Sequence, residues 1–560
     1  MSTTTLRPPL HRMRTLSSAV ALLTAGVLAT GHSYAAATAD NPGSDNIADS
    51  KRMVVLLKET AVQHHEIAAS TRLDKLFADD RVKNNPKQWQ AVSLKTASLI
   101  RDLESRHHFS SIMGFGHLNH GLAATLSARQ IEALKSDPAV EAVFEDVPGQ
   151  LASGETALWN NTPDADVPAL SSTVYTTGWN LHAVGLYNSG SSDSPWYRTD
   201  GETPAGAYPV KTYIIDDGIQ PHADLNFNWQ VDHISFDCHS NVGGSCSDTG
   251  PNLYVWGNAC DSHATSVAGV VGAIRQNPAK GVEGVAPGAQ LVSVKVTNAC
   301  SFDTSSPNNS GTVYTSGVLA AINWIGSTVP NNGVDQYGRR RLSGVANISI
   351  LWAYQTYGQT RYIIPLEAQA ALRSAIQSAV AKGVFFTFAA GNSNEPACNI
   401  FPAAIGYETA GAMAVGALQN TGKAMGDDKA TTLDVKLPKA SSGQCVEIWA
   451  PGKKVHSTGA WPGPGFKMEP NHWGAGVPDN SWPGLHYYYP STGSSLAAPH
   501  AAGAALLIAK KYQLQGLQLP APAEIESLIQ SQRQPMNYQW NPLNWNIGNT
   551  WVNLLRVDRF

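Results

Sequence analysis

Four polar residues of this chain have the types that a serine hydrolase needs. In chain order they are Asp216, His263, Asn392 and Ser495. A serine nucleophile requires a base that takes its proton, an acid that orients the base, and a hydrogen-bond donor for the oxyanion. The set therefore predicts acyl transfer, provided that the fold brings the four side chains together.

Each of these residues also has an ordinary structural explanation. An aspartate or asparagine beside glycine is a common turn former, and serine is a common helix N-cap. A helix that begins at the serines of TGSSLAAPH would hold Pro499 in its first turn, where proline is tolerated. A buried, charged His263 at a helix start would need a carboxylate partner, because the helix dipole disfavours the cation.

Alternating strands and helices surround these residues and must position them. Apolar runs predict strands, and helical spacing predicts intervening helices: strands at 210–216, 290–296, 345–351 and 383–390, and helices at 263–274, 315–325 and 365–383. This alternation predicts an α/β fold with a doubly wound, mainly parallel sheet and helices on both faces. Active sites of such sheets lie at the carboxyl ends of strands; Asp216 ends one predicted strand, and Asn392 follows another.

The N-terminal part has a different character. A basic front, an apolar run and small residues predict a signal peptide over 1–39, with a short membrane anchor as the alternative. No other run approaches the roughly 18 apolar residues of a membrane span, so we expect an exported protein with no stable span after signal removal. Residues 50–148 predict a small α+β domain with Ser127 and Gln130 at capping-box spacing. The polar stretch 149–173 predicts an exposed linker open to proteolysis, and 174–560 predicts the α/β domain.

Composition narrows the function classes. The 560 residues carry a net charge of −4, which gives no electrostatic case for nucleic-acid binding. The six cysteines are Cys238, Cys246, Cys260, Cys300, Cys398 and Cys445. An even number in an exported chain favours three disulfides of unknown connectivity. A zinc site is the weaker alternative, because the sequence has no Cys-x-x-Cys pair.

Taken together, the motifs resemble those of the subtilisin-like serine proteases, the subtilases of peptidase family S8. YIIDDGI resembles their aspartate motif, SHATSVAG their histidine motif, AAGN their asparagine motif and GSSLAAPHAAG their serine motif. VAPGAQLVSVKV and IWAPGKKVHST resemble their connecting segments. Residues 50–148 resemble the N-terminal inhibitor-type propeptide of the family, and the cysteine placement resembles the aqualysin-type members of the proteinase K group.

The resemblance implies a secreted serine endopeptidase made as a self-processed zymogen. Ser495 would be the nucleophile, His263 the base, and Asp216 rather than Asp217 the acid. The side-chain amide of Asn392 and the backbone N–H of Ser495 would bind the oxyanion. Polypeptides would be the substrates, and the chain's own propeptide would be an inhibitor. The enzyme would cut its own chain somewhere between Val147 and Thr173. It would be a monomer.

Several details follow only from this resemblance. It implies the bridges Cys260–Cys300 and Cys398–Cys445 and leaves Cys238–Cys246 to close a short loop. It implies a substrate pocket lined by Ser349, Ile350, Leu351 and Gly391. Leu351 and Trp352 replace the usual glycines and are expected to narrow the pocket beside the cleaved bond. The chemistry would need no cofactor; structural Ca²⁺ is compatible with the family, but no contiguous acidic loop identifies its ligands.

Other interpretations stay open at this level. The insertion 461–490, rich in Trp, Tyr, Pro and Gly, is either a self-packed surface loop or a wall of the substrate cleft. A catalytically degenerate subtilase fold that acts as a binding protein is the main functional alternative. An esterase is disfavoured because the serine lacks the Gly-x-Ser-x-Gly elbow of that fold.

Overall fold

The structure is a computed structural model, and it describes fourteen stretches of the chain. They are residues 50–77, 88–152, 180–181, 183–186, 207–228, 231–236, 263–274, 282–297, 312–353, 363–419, 435–437, 439–459, 488–538 and 550–557. The predicted signal peptide, Cys238, Cys246, Cys260, Cys300 and nearly all of the insertion 461–490 lie outside these residues. Ile47–Phe560 forms one compact unit.

Residues 50–145 form a small α+β layer, as the sequence predicts. Its strands are β1 (Lys51–Leu57), β2 (Ser111–Phe115), β3 (Gly121–Leu126) and β4 (Val140–Glu145). Its helices are α1 (Glu59–His64), α2 (Leu73–Leu76), α3 (Leu94–His107) and α4 (Ala128–Lys135), with a short 3₁₀ turn at Gln88–Ala91. The sheet is antiparallel in the order β2-β3-β1-β4. The predicted capping box is present at the start of α4, where the side chains of Ser127 and Gln130 bond each other's backbone N–H groups.

A short strand, β5 (Pro148–Leu151), follows this layer and changes one expectation. The polar composition predicts an exposed linker over 149–173, but Gly149 and Ala152 are buried. The reason is tertiary: β5 is hydrogen-bonded on both sides by strands from later in the chain, which satisfy its backbone groups. The rest of the predicted linker lies outside the described residues.

The larger part of the chain is built on a central, mainly parallel sheet. Its strands are β6 (Thr212–Asp216), β7 (His233–Ser235), β8 (Leu291–Lys295), β10 (Gly344–Ile348), β12 (Val384–Ala389), β14 (Ala412–Gln419), β15 (Val435–Lys436), β16 (Ile448–Pro451), β19 (Gln534–Tyr538) and β20 (Thr550–Leu554). The order is β19-β20-β16-β14-β12-β10-β6-β8-β7, with β15 beside β14. β15 and β19 pair antiparallel, and the other described pairs are parallel.

Smaller strands and the helices complete this part. The strands are β9 (Val313–Tyr314), β11 (Ile350–Ala353), β13 (Ile400–Phe401), β17 (Val455–Thr458) and β18 (Tyr488–Ser491). The helices are α5 (His263–Gly272), α6 (Thr315–Thr328), α7 (Leu366–Ala381), α8 (Ala403–Glu408), α9 (Ser494–Leu514) and α10 (Pro522–Gln532), with a 3₁₀ turn at Ala397–Asn399. No helix among the described residues is long and apolar enough to cross a membrane.

Two apolar layers cover the two faces of the central sheet. On one face, Ile214 of β6 packs in a cluster with Ala268 of α5 and Ala502 of α9. On the other, Ile215 packs in a cluster with Leu319 of α6 and Leu372 of α7. Neighbouring residues of one strand point to opposite faces, so the unbroken apolar runs reflect burial on both sides and bear out the predicted doubly wound architecture.

The N-terminal sheet shares the second of these layers. Val54 and Phe144 lie in the same cluster as α6 and α7, whereas Met53 and Val55 face Ile100 of α3 in a separate cluster. Strand β1 therefore has two apolar faces: one packs against α3 of its own layer, and the other packs against the α/β part. A disulfide joins Cys398 to Cys445, as the resemblance implies.

Two buried carboxyl groups join α10 to the sheet. Glu447, just before β16, accepts the N–H of Ala414, and Glu526 of α10 accepts the N–H of Gly411. The two carboxyl groups are hydrogen-bonded to each other, and Gln530 donates to both. Burial, with the neighbouring charge of Glu526, raises the pKa of Glu447 to about 8.

This pair predicts that stability falls as pH rises toward 8. The folded chain keeps a proton on Glu447 that the unfolded chain releases at its ordinary, lower pKa, so folding binds a proton across this range. The slope should approach about 1.4 kcal/mol per pH unit at its steepest. Glu447→Gln, in which an amide replaces the protonated carboxyl, should flatten it.

The measurement is urea unfolding at pH 5, 6, 7 and 8, made in a Ser495→Ala background because the sequence predicts that Ser495 is a nucleophile. Glu408→Gln, at an exposed carboxylate paired with Arg373, is the matched control and should keep the parental slope. Equal slopes for Glu447→Gln and the parent would contradict the inference that Glu447 keeps its proton in the folded chain.

Candidate active site

Asp216 and His263 form a buried, hydrogen-bonded pair. Asp216 is the last residue of β6 and His263 the first of α5. Nδ1 of His263 lies 2.8 Å from Oδ1 of Asp216, and both side chains are almost fully buried. Since a carboxylate only accepts, Nδ1 carries the proton and Nε2 is the basic nitrogen. The carboxylate that the histidine was expected to need is therefore present.

Asp217 has a different task from its neighbour. Its Oδ1 accepts the backbone N–H of Ala264 at 2.8 Å, in the first turn of α5. A carboxylate at this position satisfies a helix-end donor and interacts favourably with the helix dipole. Asp217 thus fixes the start of the helix that carries His263, and Asp216 orients the imidazole.

Ser495 lies in the first turn of α9, buried with its hydroxyl. Its Oγ has no hydrogen-bond partner among the described residues. Ser494, next to it, is a structural residue: its Oγ accepts the N–H of Gly391 and its own N–H donates to Oδ1 of Asn392. Of the two serines, Ser495 therefore has the uncommitted hydroxyl.

Pro499 lies one turn further into the helix than the sequence predicts. It is the sixth residue of α9, so its missing N–H removes the helical partner of the carbonyl four residues earlier, which belongs to Ser495. Oγ of Ser349 donates to that carbonyl at 3.2 Å. Asn347 donates to Ser349 in turn, so a chain of buried side chains replaces the lost backbone bond.

A second imidazole close to Ser495 in sequence is committed to structure. Nδ1 of His500 lies 2.7 Å from the carbonyl of Leu496, so Nδ1 donates, and Nε2 accepts from the amide of Asn180. Burial lowers the pKa of His500 to about 4. With both nitrogens occupied and the ring neutral, His500 is no candidate for the base.

Asn392 connects the serine turn to β5. It follows β12 and Gly391, whose φ of +112° suits glycine. Its Oδ1 accepts the N–H of Ser494 at 2.8 Å, and its Nδ2 donates to the backbone carbonyl of Ala152 at 2.5 Å. The amide that was predicted to bind an oxyanion therefore contacts a peptide carbonyl of the chain itself.

The segment that carries this carbonyl is held like a strand across the site. β5 pairs antiparallel with β11 on one side, with Leu151 opposite Ile350 and Gln150 opposite Leu351. On its other side, Gly149 lies opposite Val313 of β9. The N–H of Ala152 donates to the carbonyl of Ser349 at 2.7 Å. An extended peptide thus occupies the crevice at the carboxyl edge of the sheet.

The predicted pocket residues divide into two groups. Ser349, Ile350 and Leu351 flank residues 150–152, as described above. Gly391 instead joins two other segments of the chain, since its N–H donates to Oγ of Ser494 and its carbonyl accepts from the N–H of Ser441. Trp352 lies opposite Gly149, three residues before Ala152, so its bulk falls further from the carbonyl bound by Asn392 than we expected.

The same acidic and histidine side chains carry atoms that can bind a metal ion. Within the part of the chain that the structure describes, Asp216, Asp217 and His263 are the cluster with metal-ligating atoms close together, within 4.8 Å. Ca²⁺ takes six to eight oxygen ligands, and here one of the few oxygens already holds an imidazole. The cluster does not fit calcium.

Sequence reasoning missed Ala152 and Asn347. Ala152 falls inside the predicted range of the self-cut, but nothing in its composition distinguishes it, because its role depends on register against Ser349. Asn347 is a single polar residue in an apolar strand. Because a buried amide needs hydrogen-bond partners, this position was a signal that could have indicated its role.

Comparisons with known proteins agree with this architecture. A model described as the subtilase family matches residues 210–533, and one described as peptidase inhibitor I9 matches residues 55–152. Alkaline serine exoprotease A of Vibrio alginolyticus is 27% identical over 417 residues, which are 74% of this chain and 56% of that protein. The alkaline protease of Alkalihalobacillus alcalophilus is 28% identical over 411 residues, 73% of this chain and 72% of that protein.

A solved structure shares the fold. Fervidolysin from Fervidobacterium pennivorans, described as a keratinolytic enzyme related to subtilisin, superposes with a TM-score of 0.52 at 16% identity, over 91% of this chain and 60% of that chain. The chain thus spans between about half and three-quarters of the length of these similar proteins. Because the subtilase model matches more than half of its residues, the chain belongs to the subtilase family.

Proposed function

We propose that this chain is a serine endopeptidase made as a zymogen, which hydrolyses polypeptides with Asp216, His263 and Ser495. One observation carries the proposal: Asn392 donates to the carbonyl of Ala152, while Ser349 accepts the N–H of the same residue. The chain's own peptide therefore lies in the site in the manner of a substrate, beside an aspartate–histidine pair and a serine with an uncommitted hydroxyl.

In the proposed mechanism, Oγ of Ser495 attacks the carbonyl carbon of the residue before the cleaved bond. Nε2 of His263 takes the hydroxyl proton and later gives it to the leaving amine. Asp216 holds the imidazole by its Nδ1 and stabilises the positive charge that forms there. Water then attacks the acyl-enzyme: Nε2 of His263 takes a proton from the water and returns it to Oγ of Ser495 as the ester bond breaks, which releases the acid.

The oxyanion would be held by the amide of Asn392 and the backbone N–H of Ser495. Asn392 is held in place by accepting the N–H of Ser494, so its donor is oriented before the charge develops, which is the condition for electrostatic catalysis. The first turn of α9 adds the positive end of its dipole. Ser349, by binding the carbonyl of Ser495, steadies the same turn.

The N-terminal layer acts as a propeptide that remains bound after the cut. Asp146 accepts the N–H and the hydroxyl of Ser316 at the start of α6, at 2.9 and 2.6 Å. Oδ1 of Asn323 accepts three consecutive N–H groups from His117 to Asn119. These contacts and the shared apolar layer would hold the released carboxyl end of β5 in the site as a product inhibitor.

The remaining parts of the proposal rest on the sequence. The segment 1–39 would direct export, which suits a bridge between Cys398 and Cys445. The mature enzyme would act outside the cell as a monomer and without a cofactor in its chemistry, with structural Ca²⁺ left unassigned. A degenerate binding protein, the earlier alternative, is disfavoured by the intact Asp216–His263 pair.

We predict that the chain cuts itself between Ala152 and Ser153. Because Asn392 binds the carbonyl of Ala152, the bond after this residue is the one presented for attack. N-terminal sequencing of the purified mature enzyme should begin at Ser153. The Ser495→Ala chain, purified alone, should stay full length after signal removal; cutting at the same bond in that variant would rule out self-processing.

A second prediction concerns Asn392. Removal of one oxyanion donor typically lowers kcat by about 10²–10³-fold, and Asn392→Ala should do so with little change in KM on a peptide substrate. Asn394→Ala is the matched control, because Asn394 accepts from Lys436 and lies two residues away. A loss in Asn392→Ala that appears only in KM would argue that the amide binds the ground state.

The third prediction concerns the hold of the propeptide. Asp146→Ala leaves two donors of Ser316 without their acceptor, so the cut propeptide should dissociate sooner. Each loss of about 1.4 kcal/mol in the binding free energy of the propeptide raises its dissociation constant tenfold. Activity against a peptide should therefore appear about tenfold earlier or more. Asp102→Ala, at a surface pair with Arg106 within the same layer, should leave the delay unchanged.

A further inference from the structure

Trp352 stands against the peptide in the site at one defined position. Because Ile350 pairs with Leu151 and Leu351 with Gln150, the next residue of β11, Trp352, lies opposite Gly149. If the bond after Ala152 is the one cut, as the proposed function states, Gly149 is the fourth residue before the cleaved bond. The question is what this position admits.

The indole leaves no room for a side chain at Gly149. A Cβ atom built there would lie 2.5 Å from Cε2, 2.8 Å from Nε1 and 2.9 Å from Cζ2 of Trp352. All three distances are below those that real Cβ atoms show. The three atoms are the ring-fusion carbon Cε2 and its neighbours in the five- and six-membered rings. The whole ring, rather than one flexible end, would have to move.

The surroundings of Trp352 oppose such a movement. The side chain is 1% exposed and belongs to the apolar layer with Phe401 and Ile364. Phe401 of β13 pairs directly with Trp352, and Ile364 donates its N–H to the carbonyl of Ala353. Nε1 of the indole also lies 3.5 Å from the carbonyl of Val147. Packed on one side and facing the peptide on the other, the ring has a fixed position.

We propose that Trp352 is a specificity-determining residue that restricts the fourth residue before the cleaved bond to glycine. The restriction is steric, since the backbone of Gly149 has no positive φ that would itself call for glycine. The proposal rests on the proposed function and goes beyond it, because it names the substrate class: peptides with glycine three residues before the residue whose carbonyl is attacked.

The first test uses internally quenched peptides based on residues 147–155 of this chain, with glycine, alanine or leucine at the position of Gly149. Wild-type mature enzyme should lose about tenfold in kcat/KM from glycine to alanine, and more to leucine. Replacement of glutamine by alanine at the position of Gln150 is the matched substrate control, since that side chain points to the other face of the strand.

The second test uses the full chain and does not depend on the stability of any single variant. Gly149→Leu should slow the cut after Ala152 at least tenfold, and the double variant Gly149→Leu/Trp352→Gly should restore it. Rescue by removal of a large side chain is an outcome that a simple folding defect in either variant would not produce. Trp352→Gly mature enzyme should cleave the leucine and glycine peptides at similar rates.

The outcomes separate this inference from the proposed function. If wild-type enzyme cleaves the glycine and leucine peptides equally well, Trp352 does not select, although the protease assignment stands. If it cleaves none of the peptides, does not digest denatured casein and is not labelled by a serine-directed phosphonate, the proposed function fails and the inference falls with it.

Discussion

The site depends on two hydrogen bonds that the side-chain amide of Asn392 makes. Its oxygen accepts the N–H of Ser494 and its nitrogen donates to the carbonyl of Ala152, so one rigid group joins the turn that precedes Ser495 to the bound peptide segment. An amide is suited to this because it accepts and donates in one plane. A shift at the end of β12 or at the start of α9 would therefore move Ser494 and the carbonyl of Ala152 together.

The parallel sheet supplies that rigidity. Asp216 is the last residue of β6, and Ser349 and Asn392 follow the neighbouring strands β10 and β12, so all three lie at the carboxyl edge of the sheet. The helix that carries Ser495 packs on one face of this sheet and is buried for most of its length. Such burial requires small residues: a Cβ at Gly503 would lie 2.5 Å from Cβ of Val285. The alanine- and glycine-rich composition of α9 is therefore a packing requirement of the site.

Much of this arrangement could be predicted from the sequence, for a physical reason. Strands buried on both faces give unbroken apolar runs, so β6, β8 and β12 were predicted within two residues of their bounds. The start of β10 was predicted within one residue, but its predicted end at 351 lies three residues past Ile348. Local features such as the capping box of α4 could also be predicted. The register between strands that are distant in the sequence could not be predicted. Pro148–Leu151 has the composition of a linker and becomes a strand because β9 and β11 satisfy its backbone, and Pro499 is tolerated one turn deeper because Ser349 replaces its missing donor.

The position of Trp352 shows what such register decides. In the sequence, Leu351 and Trp352 are two bulky residues side by side, and both predict a narrower pocket beside the cleaved bond. In a strand, neighbouring side chains point to opposite faces, so the two cannot act on the same part of a peptide. Leu351 shares an apolar cluster with Ala152, whereas Trp352 meets Gly149 on the other face. The same tryptophan that limits the peptides the site admits also packs against the peptide it retains. In the proposed enzyme, selectivity and retention of the propeptide would therefore share this contact, and a change at Trp352 that broadens the first should weaken the second.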